Sequence, residues 1–140
     1  MSRDLNYYDT FIQVAEDCRC PEGTPPRPTS PSGTIGVARA QFDMVSGHPY
    51  EHDQNDVLFA ASVRGRPDLT DDERAAARDA WFSRSQACFR ASPLPKTLGW
   101  GVHADAQGRI ALYGVETEEY QRLAADPDLR QLKAMRSKRA

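Results

Sequence analysis

Seven residues between Cys88 and Tyr113 have side chains suited to chemistry: Cys88, Arg90, Ser92, Lys96, Trp100, His103 and Tyr113. His103 titrates near neutrality, so it is the acid or base candidate. Arg90 offers a planar fork for a carboxylate or phosphate, Lys96 adds a point charge, and Ser92 adds a hydroxyl. Pro93 and Pro95 between them fix the local backbone. The segment CFRASPLPK therefore reads as a preorganised loop for a small anion, though it matches no Walker-type phosphate loop. The competing reading is a solvated basic loop with ordinary surface pairing. Cys88 lies near Arg90, and a cation lowers a thiol pKa, which admits a Cys88–His103 nucleophile pair. Against that, no thiol-protease signature surrounds it, and a cysteine is more often a small hydrophobe.

These residues need a platform, and the sequence supplies one. LGWGVHA and RIALYGV flank Asp105-Ala106-Gln107-Gly108, which predicts a hairpin closed by Gly108 in the left-handed region. That register pairs Val102 with Leu112 and Ala104 with Ile110. Trp100, Val102, Ala104, Ile110 and Leu112 then share one apolar face, and a one-residue slip would scatter them. The other face carries Gly99, Gly101 and His103 opposite Ala111, Tyr113 and Val115. Two glycines there leave room for a close neighbour: the Tyr113 ring, a helix, or a ligand flanked by His103 and Tyr113.

Further elements follow from pattern. Tyr7 to Ala15 reads as a strand, and Cys20 to about Gly33 as a proline-rich loop. Ile35, Ala38, Phe42 and Val45 form a helical stripe, predicting a helix over 35–46 capped by Thr34 and stopped by Gly47 and Pro49. The alternation Val57, Phe59, Ala61, Val63 reads as a strand. Thr70-Asp71-Asp72-Glu73 fits a capping box, so a helix runs from Asp71 to about Phe82. Thr117 caps a short helix over 118–125, and Asp126-Pro127 reads as the start of another, to about Met135. Together these predict an α+β fold with a mostly antiparallel sheet, the C-terminal hairpin included, packed by three to four helices.

Other constellations carry less. Cys18, Cys20, His48 and His52 evoke zinc, but Cys-x-Cys is too tight a knuckle, so no metal site is assigned. Glu51/Asp53 and Glu116/Glu118/Glu119 suit capping or solvated roles better than catalysis. Lys133, Arg136, Lys138 and Arg139 give a basic tail over 133–140 that could meet a partner protein or nucleic acid, and it equally suits a cationic helix end.

The 140 residues suit a single domain over 1–140 with its own core. A formal net charge of -2 selects neither nucleic acid nor an anionic membrane, and no recognition motif points to nucleic acid. No apolar run is long enough to span a bilayer, and the start lacks a secretory core. Three cysteines without such a leader fit a reducing cytoplasm. No cofactor motif is present, and oligomeric state is left open.

The blocks YYDTFI, EDC, HPY, DVLFA, CFRASPLPK, GWGVH, IALYGVE and KAMRSKR resemble a family of small bacterial proteins known as domain-of-unknown-function family 6157. The likeness runs from Tyr7 to Arg139, with Cys20 and the central segment around 63–82 departing from the pattern. It implies a compact soluble domain and no assigned activity. The residues alone support a small-molecule domain binding an anionic metabolite, with a cofactor-free enzyme using His103 as its extension. The alternative is an interaction module working through the basic tail.

Overall fold

The fold is known from a computed structural model, which describes residues 4–29, 31 and 33–136. Four strands, β1 (Thr10–Gln13), β2 (Trp100–Ala104), β3 (Ile110–Gly114) and β4 (Arg130–Lys133), form one sheet in the order β3-β2-β1-β4. The helices are α1 (Val37–Ser46), α2 (Gln54–Ser62), α3 (Asp71–Phe82), α4 (Pro93–Thr97) and α5 (Glu118–Ala124), with a 3₁₀ turn at Phe89–Ala91. The fold is α+β.

The hairpin forms in the expected register. Val102 faces Leu112, Ala104 faces Ile110, Gly101 faces Tyr113, and Gly108 has φ +81°. Its apolar face joins Ile12 of β1 under α1, α2 and α4, where Val45, Val57, Leu58, Phe89 and Leu94 close the main core. The opposite face carries Phe11, Gly101, His103 and Tyr113 and is covered by α5, whose Tyr120 ring stands edge-on to Phe11. Burial on both faces explains why Thr10, Phe11 and Ile12 are all buried in succession.

Several expectations are corrected. The sheet is mixed, because β4 lies parallel to β1, with Thr10 beside Arg130 and Ile12 beside Leu132. The helix expected to run from Asp126 to Met135 is therefore a turn and a strand. The Asp126 carboxylate accepts from the Asp128 amide, and the chain then extends to satisfy β1's free edge, Arg130 N–H donating to Asp9 O at 2.9 Å. The strand expected over Val57–Val63 is helix α2. The Asp53 carboxylate accepts from the Asp56 amide as an N-cap, and Leu58 is buried along with Val57 and Phe59, so the alternation was no guide. Helix α1 starts at Gly36 in place of Thr34, and Gly47 ends it in a right-handed conformation. Five helices exceed the three to four expected because α2 is one of them and Ser92, with Pro93 at the first helical position, starts the short α4.

Helix α3 has the capping box in full: the Glu73 amide donates to Thr70 Oγ1 at 3.1 Å and the Thr70 amide to Glu73 Oε1 at 3.0 Å. The proline-rich loop is fastened to the hairpin, Trp100 Nε1 donating to Thr24 O and the Gly23 amide to Glu116 Oε1, both at 2.9 Å.

Candidate functional site

The segment CFRASPLPK is a structural junction. Tyr7 Oη donates to Cys88 Sγ at 3.2 Å, and burial together with this contact pushes the Tyr7 phenol up to about 12. Arg90 Nε donates to Lys133 O at 2.7 Å, while Arg90 O accepts from the Met135 amide at 2.9 Å. Ser92 caps α4 by accepting from the Leu94 amide, and its hydroxyl donates to Gln41 Oε1 on α1. Ser92 and Gln41 are both buried. Lys96 lies half-buried on the last turn of α4. Trp100 is committed to Thr24 O and to the Phe42 ring, 5.5 Å away. Arg90 thus fastens the β4 edge of the sheet.

His103 lies on the inner strand β2, on the face of the sheet opposite the core that holds Phe89 and Leu94. One strand, β1, separates β2 from β4, so at about 4.8 Å per spacing the strand of His103 and the edge that Arg90 fastens are some 10 Å apart. The two halves expected to make one pocket do not meet.

What does meet at His103 is a tyrosine pair. Tyr50 Oη lies 2.8 Å from His103 Nδ1 and 2.7 Å from Tyr113 Oη, and its ring stands edge-on to the imidazole. Tyr50 reaches them from a segment that runs along the free edge of β3. The Tyr50 amide donates to Ile110 O, the Ile110 amide to His52 O, and Asp53 bridges to Arg109. Among the described residues, Asp9 (φ +47°) and Tyr50 (φ +61°) are the non-glycine residues with left-handed backbone, and both neighbour His103. Such a conformation is tolerable for aspartate and costly for an aromatic residue.

Burial lowers the His103 pKa, and Asp105, Asp126 and Asp9 partly restore it. The shift favours the neutral ring. Burial, then the Tyr113 hydroxyl, pushes the Tyr50 phenol well above its ordinary value. Tyr113 also lines a hollow of about 180 Å³ with Glu119, Arg122 and Leu123 of α5. The Arg122–Glu119 pair beside it is loose, at 3.8 Å, and exposed.

The glycine-thinned face is filled by rings. A Cβ on Gly101 would lie 2.5 Å from Phe11 Cζ and 2.6 Å from Tyr120 Cε2, so neither Tyr113 nor a ligand occupies that space. Among the described residues no three His, Cys, Asp or Glu side chains gather as a metal ion would require. His48 pairs with Glu51 at 2.9 Å. Of the basic tail, Lys133 belongs to β4 and pairs with Glu16, while Lys138 and Arg139 lie outside the described residues. No helix among the described residues is long and apolar enough to cross a membrane.

Tyr50 was missed from sequence. Its only signal was the short block HPY, which reads locally as a turn, and nothing local shows that its hydroxyl reaches residues 53 and 63 positions away.

These features define a small α+β domain with a His–Tyr–Tyr cluster at one sheet edge. The chain belongs to a family of unknown function, DUF6157, whose sequence profile matches residues 2–140. No curated protein and no solved structure matches it.

Proposed function

We propose that the protein binds a small anionic metabolite in the hollow beside Tyr113 and moves a proton to or from it through Tyr113, Tyr50 and His103. The observation that carries this reading is Tyr50, held in a strained backbone conformation with its hydroxyl within 2.8 Å of both partners. Strain of this kind persists where surrounding structure enforces it, and it gathers at functional sites. Arg122 supplies the charge for an anionic group.

The proton path balances. A ligand proton passes to Tyr113 Oη as the Tyr113 proton passes to Tyr50 Oη and the Tyr50 proton to His103 Nδ1, leaving imidazolium. Asp9, Asp105 and Asp126 stabilise that charge, and the reverse transfer returns the proton. A neutral resting His103 is the form that can accept it. No cofactor is needed for such a step.

The test is a thermal-shift screen of small anionic metabolites against the wild type and the variants Tyr113→Phe, Arg122→Ala and Arg90→Ala. A ligand at about 100 times its Kd adds about 2.7 kcal/mol, raising the melting temperature by roughly 8 °C. The shift should vanish in Arg122→Ala, shrink in Tyr113→Phe and persist in Arg90→Ala. A hit that depends on Arg90 and ignores Arg122 would refute this location, and the absence of any hit would refute the class.

A further inference from the structure

A second site lies on the opposite side of the sheet, independent of the His103 cluster. A slot of about 220 Å³ opens between α1, α2, the end of α3 and the Cys88–Pro93 segment. Its walls include Val37, Leu58, Ala61, Trp81 and Pro93, and its one buried polar feature, the Ser92–Gln41 pair, is already satisfied internally. An apolar cavity of about 150 Å³ suffices for a benzene ring, so this slot takes a ring with room for a short chain.

The slot does not end in plain solvent. Ser62 and Trp81 on its rim also line an adjoining hollow of about 350 Å³, whose polar wall holds Arg66 and Arg84. Neither arginine makes an ion pair among the described residues. Glu73, the acid whose charge is felt by Arg66, is occupied with the α3 cap. Arg64 nearby is already spent on Ile35 O and Ala61 O. An apolar chamber thus communicates with two uncommitted guanidinium groups across one shared rim.

We propose that this site binds a small organic carboxylate with an apolar body, the arylalkanoate or medium-chain class. The body seats against Leu58, Ala61 and Trp81, and the carboxylate reaches Arg66 and Arg84. Geometry selects a ligand with its charge at one end, a few bonds from its bulk. Arginine's planar fork suits a carboxylate over a neutral hydroxyl.

Calorimetric titration of the whole protein tests this with three probes that need no variant: 4-phenylbutyrate, 4-phenylbutylammonium and butyrate. The aryl carboxylate should bind at least about tenfold more tightly than either of the others, since one lost charge-assisted contact is worth that much. The double variant Arg66→Ala/Arg84→Ala should weaken 4-phenylbutyrate by about tenfold and leave the ammonium compound unaffected. Ala87→Leu, at an exposed wall position of the slot, should weaken it while preserving the melting temperature. Ammonium binding equal to carboxylate, butyrate binding equal to phenylbutyrate, or no heat at millimolar 4-phenylbutyrate would each overturn the proposal. Loss of this binding leaves the His103 reading standing, because the two sites share no residue.

Discussion

Replacing Gly101 by alanine decides what the bare patch of the sheet is for. The new Cβ would sit 2.5 Å from Phe11 Cζ and 2.6 and 2.8 Å from two carbons of the Tyr120 ring. Carbon atoms rest at about 3.5–4.0 Å, so relief requires a shift of about 1 Å by one or both rings. Phe11 is fully buried on the central strand, and Tyr120 is held by its hydroxyl at the Val14 amide, 2.9 Å away. Neither ring can swing into solvent. Overpacking of this kind costs about 1–3 kcal/mol. Taking about 2 kcal/mol, a domain of this size loses about 6 °C in melting temperature. Gly114→Ala is the internal control. There the intruding atoms belong to the exposed Glu116 carboxylate, which can turn away at the loss of one bond to the Gly23 amide. Thermal unfolding followed by circular dichroism should therefore show Gly101→Ala several degrees below Gly114→Ala. Equal melting temperatures within about 1 °C would mean that the Gly101 face is open, and the packing account of it would be wrong.

Three further outcomes are expected. Ser92→Ala removes the α4 cap and strands Gln41 Oε1 in the core; denaturant titration should report a loss of about 2 kcal/mol, and a loss below about 0.5 kcal/mol would contradict the buried pairing. Thr70→Ala breaks the capping box of α3 and should cost about 1 kcal/mol by the same assay, with no effect on ligand-dependent shifts. Burial depresses the folded-state pKa of His103 below the ordinary imidazole value of about 6.5, so the unfolded chain takes up the proton first as pH falls. Its contribution to stability is full above that pH and is lost as pH falls towards the folded value; His103→Gln should flatten this segment of the stability–pH curve, and an unchanged slope would count against a buried neutral ring.

Local rules made the hairpin, α3 and α5 legible. Gly108 fixed the turn, the period-two pattern fixed the register, and Thr70 and Thr117 announced their helices. The segments that misled were those decided by distant partners. In VLFAAS the successive residues Val57, Leu58 and Phe59 are all buried, so its pattern carries no period that separates helix from strand. RQLK is polar and short, and it becomes a strand only because β1 offers it an unpaired edge. The candidate site followed the same divide. His103 and Tyr113 were found because a hairpin register places them on one face. Tyr50 was not, because a turn 53 residues upstream of His103 brings it in. Arg90 looked like an anion ligand because its partner, a backbone carbonyl of β4, leaves no mark on side-chain chemistry.

The position of β1 has a consequence for synthesis. Its two neighbours are β2, which begins at Trp100, and β4, which begins at Arg130. At about 5–20 residues per second, roughly 5–20 seconds separate the emergence of Phe11 and Ile12 from that of their first partner strand. During that interval an apolar segment destined for the middle of the sheet is a bare, pairable edge on the ribosome. The nascent chain can hold α1, α2 and α3 before it can hold a sheet, and until β2 emerges Phe11 and Ile12 have no strand to pair with.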